Sequence, residues 1–481
     1  MRLLHRLIIL RILSTIVLIE TISFLLCLPV ALIYDESLLP FLWSSAITSF
    51  MYLLFRFLSR EANTDEISNR DTFLIVTLAW ILFSLLGSLP YLISRTIPSF
   101  INAFFESTSG FSTTGASIFN DVESLPYSIL FWRSLTHWIG GIGIIVLVIL
   151  VLPSLKVSGY QLFSLESSLK EKIHPKTTGV GFRIILIYIS LTLLEVLLLV
   201  SGDMNLFDSV CHAFGTIATG GFSTKNTSLM FYSHYSQYIV MIFMFMAGTS
   251  QVVYYYLVKL NFRKVKHNEE FWFYLSTVIF AGTIAAGILL INSTKPIEVA
   301  FREGFFQIIS IITCTGFASG DFILWPAAGT TLIFMLMFSG GSTGSTSGGI
   351  KMARHLIIIK NIRSVLVRMI HPNALAVVKL NGKVLDERTN ISIMSFIVLY
   401  FFLFIIGSVI LTASGLDPVT SASSVATCMA GIGPGLGTVG PLSNYSGIPE
   451  ISKVVLSLLM IIGRLEIVTV FVLFGKSFWK L

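Results

Sequence analysis

Long apolar runs recur along the whole chain, separated by short polar segments. Ten are of about the ~20 residues that cross a hydrocarbon core: 7–33, 37–58, 72–94, 127–153, 183–201, 235–260, 271–292, 322–350, 391–413 and 452–475. Each predicts a membrane-crossing helix, so the expected fold class is an all-α polytopic membrane protein. The first run is too long for a signal peptide, lacks a small-residue cleavage site and contains Arg11 and Glu20, so it too reads as a span.

Four interruptions break this pattern in the same way. "FESTSGFSTTGAS" at 105, "FGTIATGGFST" at 214, "IITCTGFASG" at 311 and "MAGIGPGLGTVG" at 429 are crowded with glycine and hydroxyl residues. Each lies between two spans, and each glycine follows about ten residues of short-helix sequence, too few to cross a bilayer. The pattern is span, re-entrant loop, span, four times over, with two further spans at the N-terminus. Aligned on Gly115, Gly221, Gly316 and Gly435, the turns lie 106, 95 and 119 residues apart, with Gly433 left open as the alternative in the fourth. The expected divisions are two N-terminal helices at 1–66, a first pore repeat at 67–155, and a cytosolic loop with the second repeat at 156–260. The third repeat, containing a loop at 340–349, follows at 261–370 and the fourth at 371–481.

Composition agrees with the hydropathy pattern. Charged residues make up 12% of the chain and mean hydropathy is +0.84, against about 25% charged residues in soluble domains. Of the 32 Lys and Arg residues, 24 fall on one side of the predicted spans, five on the other and three within spans. The basic side is expected to be cytosolic and to hold both termini. The net charge of +7 therefore reflects membrane insertion and not nucleic-acid binding. The opposite, acidic face concentrates cations at an external mouth. Cys27, Cys211, Cys314 and Cys428 are scattered, with no C-x-x-C pair, and support neither a disulfide framework nor a zinc site.

Irregular backbone at membrane depth is tolerated only when buried in protein or lining an aqueous path. Four such loops can converge on a central pore. Glycine permits positive φ, and carbonyls turned to one side can replace the hydration shell of a monovalent cation. No Asp or Glu occupies the glycine or the two residues before it in any turn, as a divalent site would require. For any one run, close helix packing is the simpler explanation. Four at matched positions favour a shared device.

These motifs resemble the Trk/Ktr/HKT superfamily of potassium transporters, and the Trk-type membrane subunits in particular. "STTGA", "ATGGFS", "CTGF" and "GPGLG" stand as the four turns, and "FWRSLTHWIGG", "GGSTGSTSGGIK" and "GRLEI" fit as well. The resemblance implies a K⁺-selective pore of the bacterial inner membrane, acting as a homodimer with a cytosolic nucleotide-binding gating-ring protein. No cofactor is implied in this chain, and K⁺ is the transported ion. Carried onto this sequence, the filter carbonyls come from Thr113 and Thr114, Thr219 and Gly220, Cys314 and Thr315, and Gly433 and Pro434, each pair preceding its glycine. The fourth turn departs from the Thr-rich form of the first, which leaves its register open.

Two elements lie below the filter on this reading. Residues 340–349 are ten successive Gly, Ser and Thr residues inside the span 322–350. They cannot hold a rigid helix, and broken helices line transport routes. The resemblance implies an intramembrane gate here, including Gly340, Gly341, Gly344, Gly348 and Gly349. A kink packed against neighbours is the alternative. Arg464 and Glu466 lie in the last span, where charge is costly. Two residues apart, they do not share a helix face, so separate partners are expected. The resemblance sets Arg464 on the pore axis as a positive barrier; pairing with Glu195 is the alternative. Arg133 is expected to snorkel, and His137 and Glu20 to be structural. The cytosolic segments at 156–179 and 351–390 carry no G-x-x-x-x-G-K or G-x-G-x-x-G fingerprint, so a regulatory nucleotide requires a separate partner.

Two other functions compete. A different cation-coupled secondary transporter would not require four loops on one side. An intramembrane serine hydrolase would use Ser342, within the G-x-S-x-G match at 340–344, with His137 or His212 as base. That motif needs a strand-to-helix turn, and here it lies in a membrane span.

Overall fold

The computed structural model describes residues 5–62, 68–146, 177–374 and 376–479. The inner end of the span expected at 127–153 and most of the cytosolic segment at 156–179 lie outside them. Among the described residues the regular structure is helical, apart from one small hairpin.

Helices Arg6–Ile33 and Leu39–Leu58 pack antiparallel ahead of the repeats. Their connection is fastened to the first repeat by Glu36, whose carboxylate accepts from the Tyr127 and Ser128 main-chain N–H groups at 2.5 and 2.9 Å. It thereby caps the helix Tyr127–Val146, while Tyr34 stacks on Tyr127 with ring centroids 4.0 Å apart.

Each repeat consists of an outer helix, a short pore helix, a turn and an inner helix. The outer helices are Asn69–Leu86 (continued by Leu89–Ile93), Thr177–Val200, Glu269–Asn292 and Glu387–Ala413. In the first, the break around Gly87 leaves a carbonyl that Trp132 Nε1 takes at 3.1 Å. The pore helices are Phe100–Phe111, Leu206–Ile217, Ile297–Ile312 and Pro418–Ala430, of 12, 12, 16 and 13 residues. At 1.5 Å per residue they reach roughly 18–24 Å, short of the ~30 Å core. Asn205 and Asp417 cap two of them, accepting from the main-chain N–H groups of Asp208 and Thr420 at 2.8 and 2.9 Å.

The inner helices depart from the continuous spans expected. Among the described residues, six helices are long and apolar enough to cross a membrane, or up to eight if two bent pairs each count as one. His234–Ala247 turns through 97° into Gln251–Val258, and Glu450–Arg464 through 105° into Val468–Phe474. Both bends lie where the inner helix passes under a pore-helix end. A Cβ on Gly248 would press on Thr313 and the Tyr274 hydroxyl, and one on Gly463 would overlap the Met429 carbonyl. Hydropathy does not register such close approaches. In the third repeat, the helix Ala327–Leu336 gives way to irregular backbone before Met352–Ile370 resumes. A two-stranded hairpin, Lys379–Leu380 against Lys383–Val384, follows on the basic segment. Its Asn381-Gly382 corner has φ of 51° and 75°, as a type I′ turn requires.

Candidate functional site

The four pore helices end at one level, and each leads into the same backbone turn. Two residues past the end of each of the first three, Thr113, Thr219 and Cys314 have φ of 53°, 54° and 59°. Two residues later again, Gly115, Gly221 and Gly316 have φ of 81°, 80° and 80°. The main-chain bonds repeat as well. Thr114 N donates to Ser109 O at 2.9 Å, Gly220 N to Gly215 O at 2.7 Å and Thr315 N to Ser310 O at 2.9 Å.

The fourth turn follows this geometry at Gly431 and Gly433, with φ of 76° and 92°. Ile432 N donates to Thr427 O at 2.9 Å, as its counterparts donate five residues back. The register aligned on Gly435 is therefore corrected to Gly433. Gly435 lies two residues beyond the turn, its N–H bonded to Val439 O at 2.7 Å. The carbonyls matching Thr113–Thr114 are those of Gly431 and Ile432, not Gly433 and Pro434. The Gly433 carbonyl is occupied, accepting from the Tyr445 hydroxyl at 2.7 Å.

These turns touch one another in cyclic order. A Cβ on Gly115 would overlap Gly220 O, one on Gly221 would overlap Thr315 O, and one on Gly316 would overlap Ile432 O. On Gly433 it would lie 2.7 Å from Thr114 O, which closes the ring. Side chains cannot be accommodated at this spacing, so glycine is required by both φ and space. The carbonyls of Thr113, Thr114, Thr219, Gly220, Cys314, Thr315, Gly431 and Ile432 receive no hydrogen bond from the described residues. Buried backbone groups are nearly always paired, so a ring of unpaired carbonyls marks a place for a cation or water. The C-terminal dipoles of the four pore helices add negative potential there. Hydroxyl pairs brace the turns from behind, at 2.7 Å for Ser112–Thr114 and 2.8 Å for Thr313–Thr315. Above the ring opens a cavity of about 120 Å³ lined by Gly115, Gly221, Gly316 and Gly433 with Asn120 and Asn226.

The Gly/Ser/Thr segment of the third repeat lies directly beneath. Thr346 Oγ1 donates to Ile217 O at 3.1 Å, at the end of the second pore helix, and a Cβ on Gly348 would overlap Ala430 O at the end of the fourth. Glu270 anchors the segment, accepting from Thr343 N at 2.6 Å and Ala353 N at 2.9 Å. Ser342 N donates to Gly248 O at 2.8 Å and Gln251 N to Gly344 O at 3.3 Å. Gly340, Gly341, Gly344, Gly348 and Gly349 thus belong to one compact loop. Arg464 meets it, donating to Thr346 O at 2.7 Å and Gly140 O at 3.4 Å. Lys351 donates to the next carbonyl, Ser347 O. Arg464 has no contact with Glu195, whose carboxylate oxygens find no hydrogen-bond partner among the described residues. Glu466 pairs with Arg354, so the two charges of the last span do have separate partners. A second, small cavity of about 30 Å³ lies on this side, lined by Thr343, Gly348, Lys351, Tyr400, Arg464 and Glu466.

Arg133 does not snorkel. It is 2% exposed and bonded to Glu106 at 2.9 Å, because that carboxylate on the neighbouring pore helix offers a closer partner than water. The hydrolase reading fails at its nucleophile, since Ser342 Oγ has no hydrogen-bond partner among the described residues. His212 Nε2 is 2.9 Å from Ser223 Oγ, and the His137 ring packs edge-on to Phe222 with centroids 4.1 Å apart. Glu270, Lys351, Arg354 and Tyr445 are contributors that sequence reading passed over. A carboxylate at the inner end of a span, as at Glu270, was the one available signal.

Fold and site together define a polytopic membrane protein with four pore repeats about one axis. The family model of TrkH, described as a cation transport protein, matches residues 41–480. The chain belongs to that family. It is 35% identical over 422 residues to the Trk system potassium uptake protein TrkH of Escherichia coli K12, covering 86% of this chain and 87% of that protein. Against TrkG of the same organism the identity is 31% over 475 residues, covering 96% of each chain. The crystal structure of the potassium transporter TrkH from Vibrio parahaemolyticus matches with a TM-score of 0.91 at 30% identity, over 99% of this chain and 100% of that one.

Proposed function

We propose that this chain takes up K⁺ across the bacterial inner membrane through a filter of main-chain carbonyls. The observation that carries the reading is the closed ring, in which each repeat's glycine abuts the next repeat's carbonyl and those carbonyls are left unpaired. Eight neutral carbonyls, contributed in pairs by Thr113–Thr114, Thr219–Gly220, Cys314–Thr315 and Gly431–Ile432, stand in for water around a dehydrated monovalent ion. Relatives named as potassium uptake proteins support K⁺ as that ion.

Below the filter, residues 340–349 act as the gate, and Arg464 both repels K⁺ and ties the loop under the pore-helix ends. Both termini are cytosolic, on the basic side. The chain works as a homodimer with a cytosolic nucleotide-binding ring protein, which moves the loop from the inner face. The module divisions at 66, 155, 260 and 370 follow the four repeats.

The test is rescue of K⁺-limited growth in an uptake-deficient bacterium, paired with Rb⁺ and Na⁺ flux into liposomes holding the purified protein. Rescue with Rb⁺ flux well above Na⁺ flux is expected. Equal Rb⁺ and Na⁺ flux would overturn the filter.

A further inference from the structure

Behind the first two turns lies a buried ion pair that conduction through the ring does not itself use. Glu106, 0% exposed, precedes Gly115 by nine residues on the first pore helix. Its Oε1 accepts from Arg133 Nε at 2.9 Å and Ser117 Oγ at 3.1 Å, and its Oε2 accepts from Ile118 N at 2.9 Å. Arg133, on the following inner helix, then reaches two turns at once. Its Nη2 donates to Ser117 Oγ at 3.1 Å in the first, and its Nη1 to Ser223 O at 3.4 Å in the second. Its guanidinium carbon lies 4.1 Å from the centroid of the Phe222 ring, directly after Gly221.

The equivalent positions in the other repeats, nine residues before Gly221, Gly316 and Gly433, hold His212, Gln307 and Ser424. His212 is 2.9 Å from Ser223 Oγ, whereas the Gln307 amide and the Ser424 hydroxyl have no hydrogen-bond partner among the described residues. Two residues after each ring glycine stand Ser117, Ser223, Ala318 and Gly435. At these positions the first turn has a charged pair and the second a His–Ser pair, whereas the third and fourth are held from elsewhere, by Ser310 Oγ donating to Phe317 O at 2.6 Å and Tyr445 donating to Gly433 O at 2.7 Å.

We propose that the Glu106–Arg133 pair is a clamp that fixes the first turn against the second, making Arg133 a positioning residue for discrimination between K⁺ and smaller cations. The proposal rests on the filter reading above. Carbonyls free to close in on Na⁺ lose their preference for K⁺, and a planar guanidinium bonded to both turns resists that movement with a geometry that an ammonium cannot reproduce. Removing one partner strands a buried charge, whereas removing both is milder.

The experiment measures K⁺, Rb⁺ and Na⁺ flux in liposomes for the full-length chain at matched incorporation. Wild type is compared with the charge-free double variant Glu106→Gln/Arg133→Met and with Arg133→Lys. The double variant is expected to lose about tenfold in the K⁺/Na⁺ ratio, the size of one hydrogen-bonded contact to a charged group. Arg133→Lys is expected to lose less, because it keeps the ion pair and drops the second arm. A wild-type ratio in the double variant overturns the clamp. If the double variant does not insert, a wild-type ratio in Arg133→Lys overturns it instead. Wild-type protein that passes Na⁺ as readily as K⁺ overturns the filter reading itself, and the clamp with it.

Discussion

The ring at the pore-helix ends and the loop at 340–349 are built from nearly the same residues, Gly, Ser and Thr, and both are buried, non-helical and at membrane depth. They differ in where their carbonyls go. In the ring, eight carbonyls accept nothing from the described residues. In the loop, Ser342 O accepts from Ser345 N at 3.1 Å, Gly341 O from Met352 N at 3.1 Å, Gly344 O from Gln251 N and Thr346 O from Arg464. On the proposed reading one region offers its acceptors to an ion, and the other uses them to hold a shape. Composition alone does not separate the two roles; hydrogen-bond accounting does.

The comparison breaks most sharply at Arg464. A guanidinium at ~5 Å from K⁺, with an effective dielectric of ~20, repels it by about 3 kcal/mol, an upper range of roughly two powers of ten in rate. Arg464→Ala is therefore expected to raise Rb⁺ flux by up to about a hundredfold while the K⁺/Na⁺ ratio holds. Deleting several residues of 340–349 should also raise flux. Because Arg464 bonds the loop through Thr346 O, the combined variant should gain less than the product of the two changes. A well-folded Arg464→Ala protein with unaltered flux would remove the barrier and leave a packing role.

Next in size is the register of the fourth turn. Gly433→Ala sets a Cβ at φ 92°, 2.7 Å from Thr114 O, and is expected to cut the K⁺/Na⁺ ratio about tenfold or more, since αL strain alone costs roughly 1–2 kcal/mol. At Gly435 a Cβ meets side-chain atoms of Val439 and Ser423, which can move, and the ratio should change little. Equal losses at both positions would return the register to doubt.

How much of this was legible in the sequence depends on the kind of signal. The four turns stood out because polar and glycine residues within apolar sequence are costly and so conspicuous. Their convergence on one axis followed from repetition, whereas their cyclic order is seen only in the contacts between turns. The fourth register did not follow, since glycines at 431, 433, 435 and 437 offer several equal alignments, and it takes φ, the Ile432 N to Thr427 O bond and the contacts between turns to select one. The bends at Gly248 and after Arg464 were hidden because no proline marks them, and the short polar breaks there, Gly248–Gln251 and Arg464–Glu466, sit inside apolar runs long enough to read as single spans. Arg133 was misread because its partner, Glu106, is 27 residues away across a turn, where no helical spacing pairs them.

The smallest expected effect is outside the pore. Asp417 caps the fourth pore helix, and hydrogen bonds from the Thr420 side chain and main-chain N–H hold its carboxyl below the usual range. A lowered folded value means the cap's contribution is present above the unfolded pKa of about 3.9 and fades as pH falls through the folded one. Asp417→Ala should cost about 1 kcal/mol, seen as a lower melting temperature near neutral pH. The gap to wild type should narrow below about pH 4. A gap independent of pH would assign the loss to something other than the carboxylate.

Covalent continuity of the four repeats has a consequence for how such a pore changes over time. A channel assembled from four identical subunits alters all of its walls with every mutation. Here the position nine residues before the ring glycine holds Glu106, His212, Gln307 and Ser424. Each wall can drift, specialise or fail by itself, so on the proposed filter reading ion preference can be tuned in quarter steps.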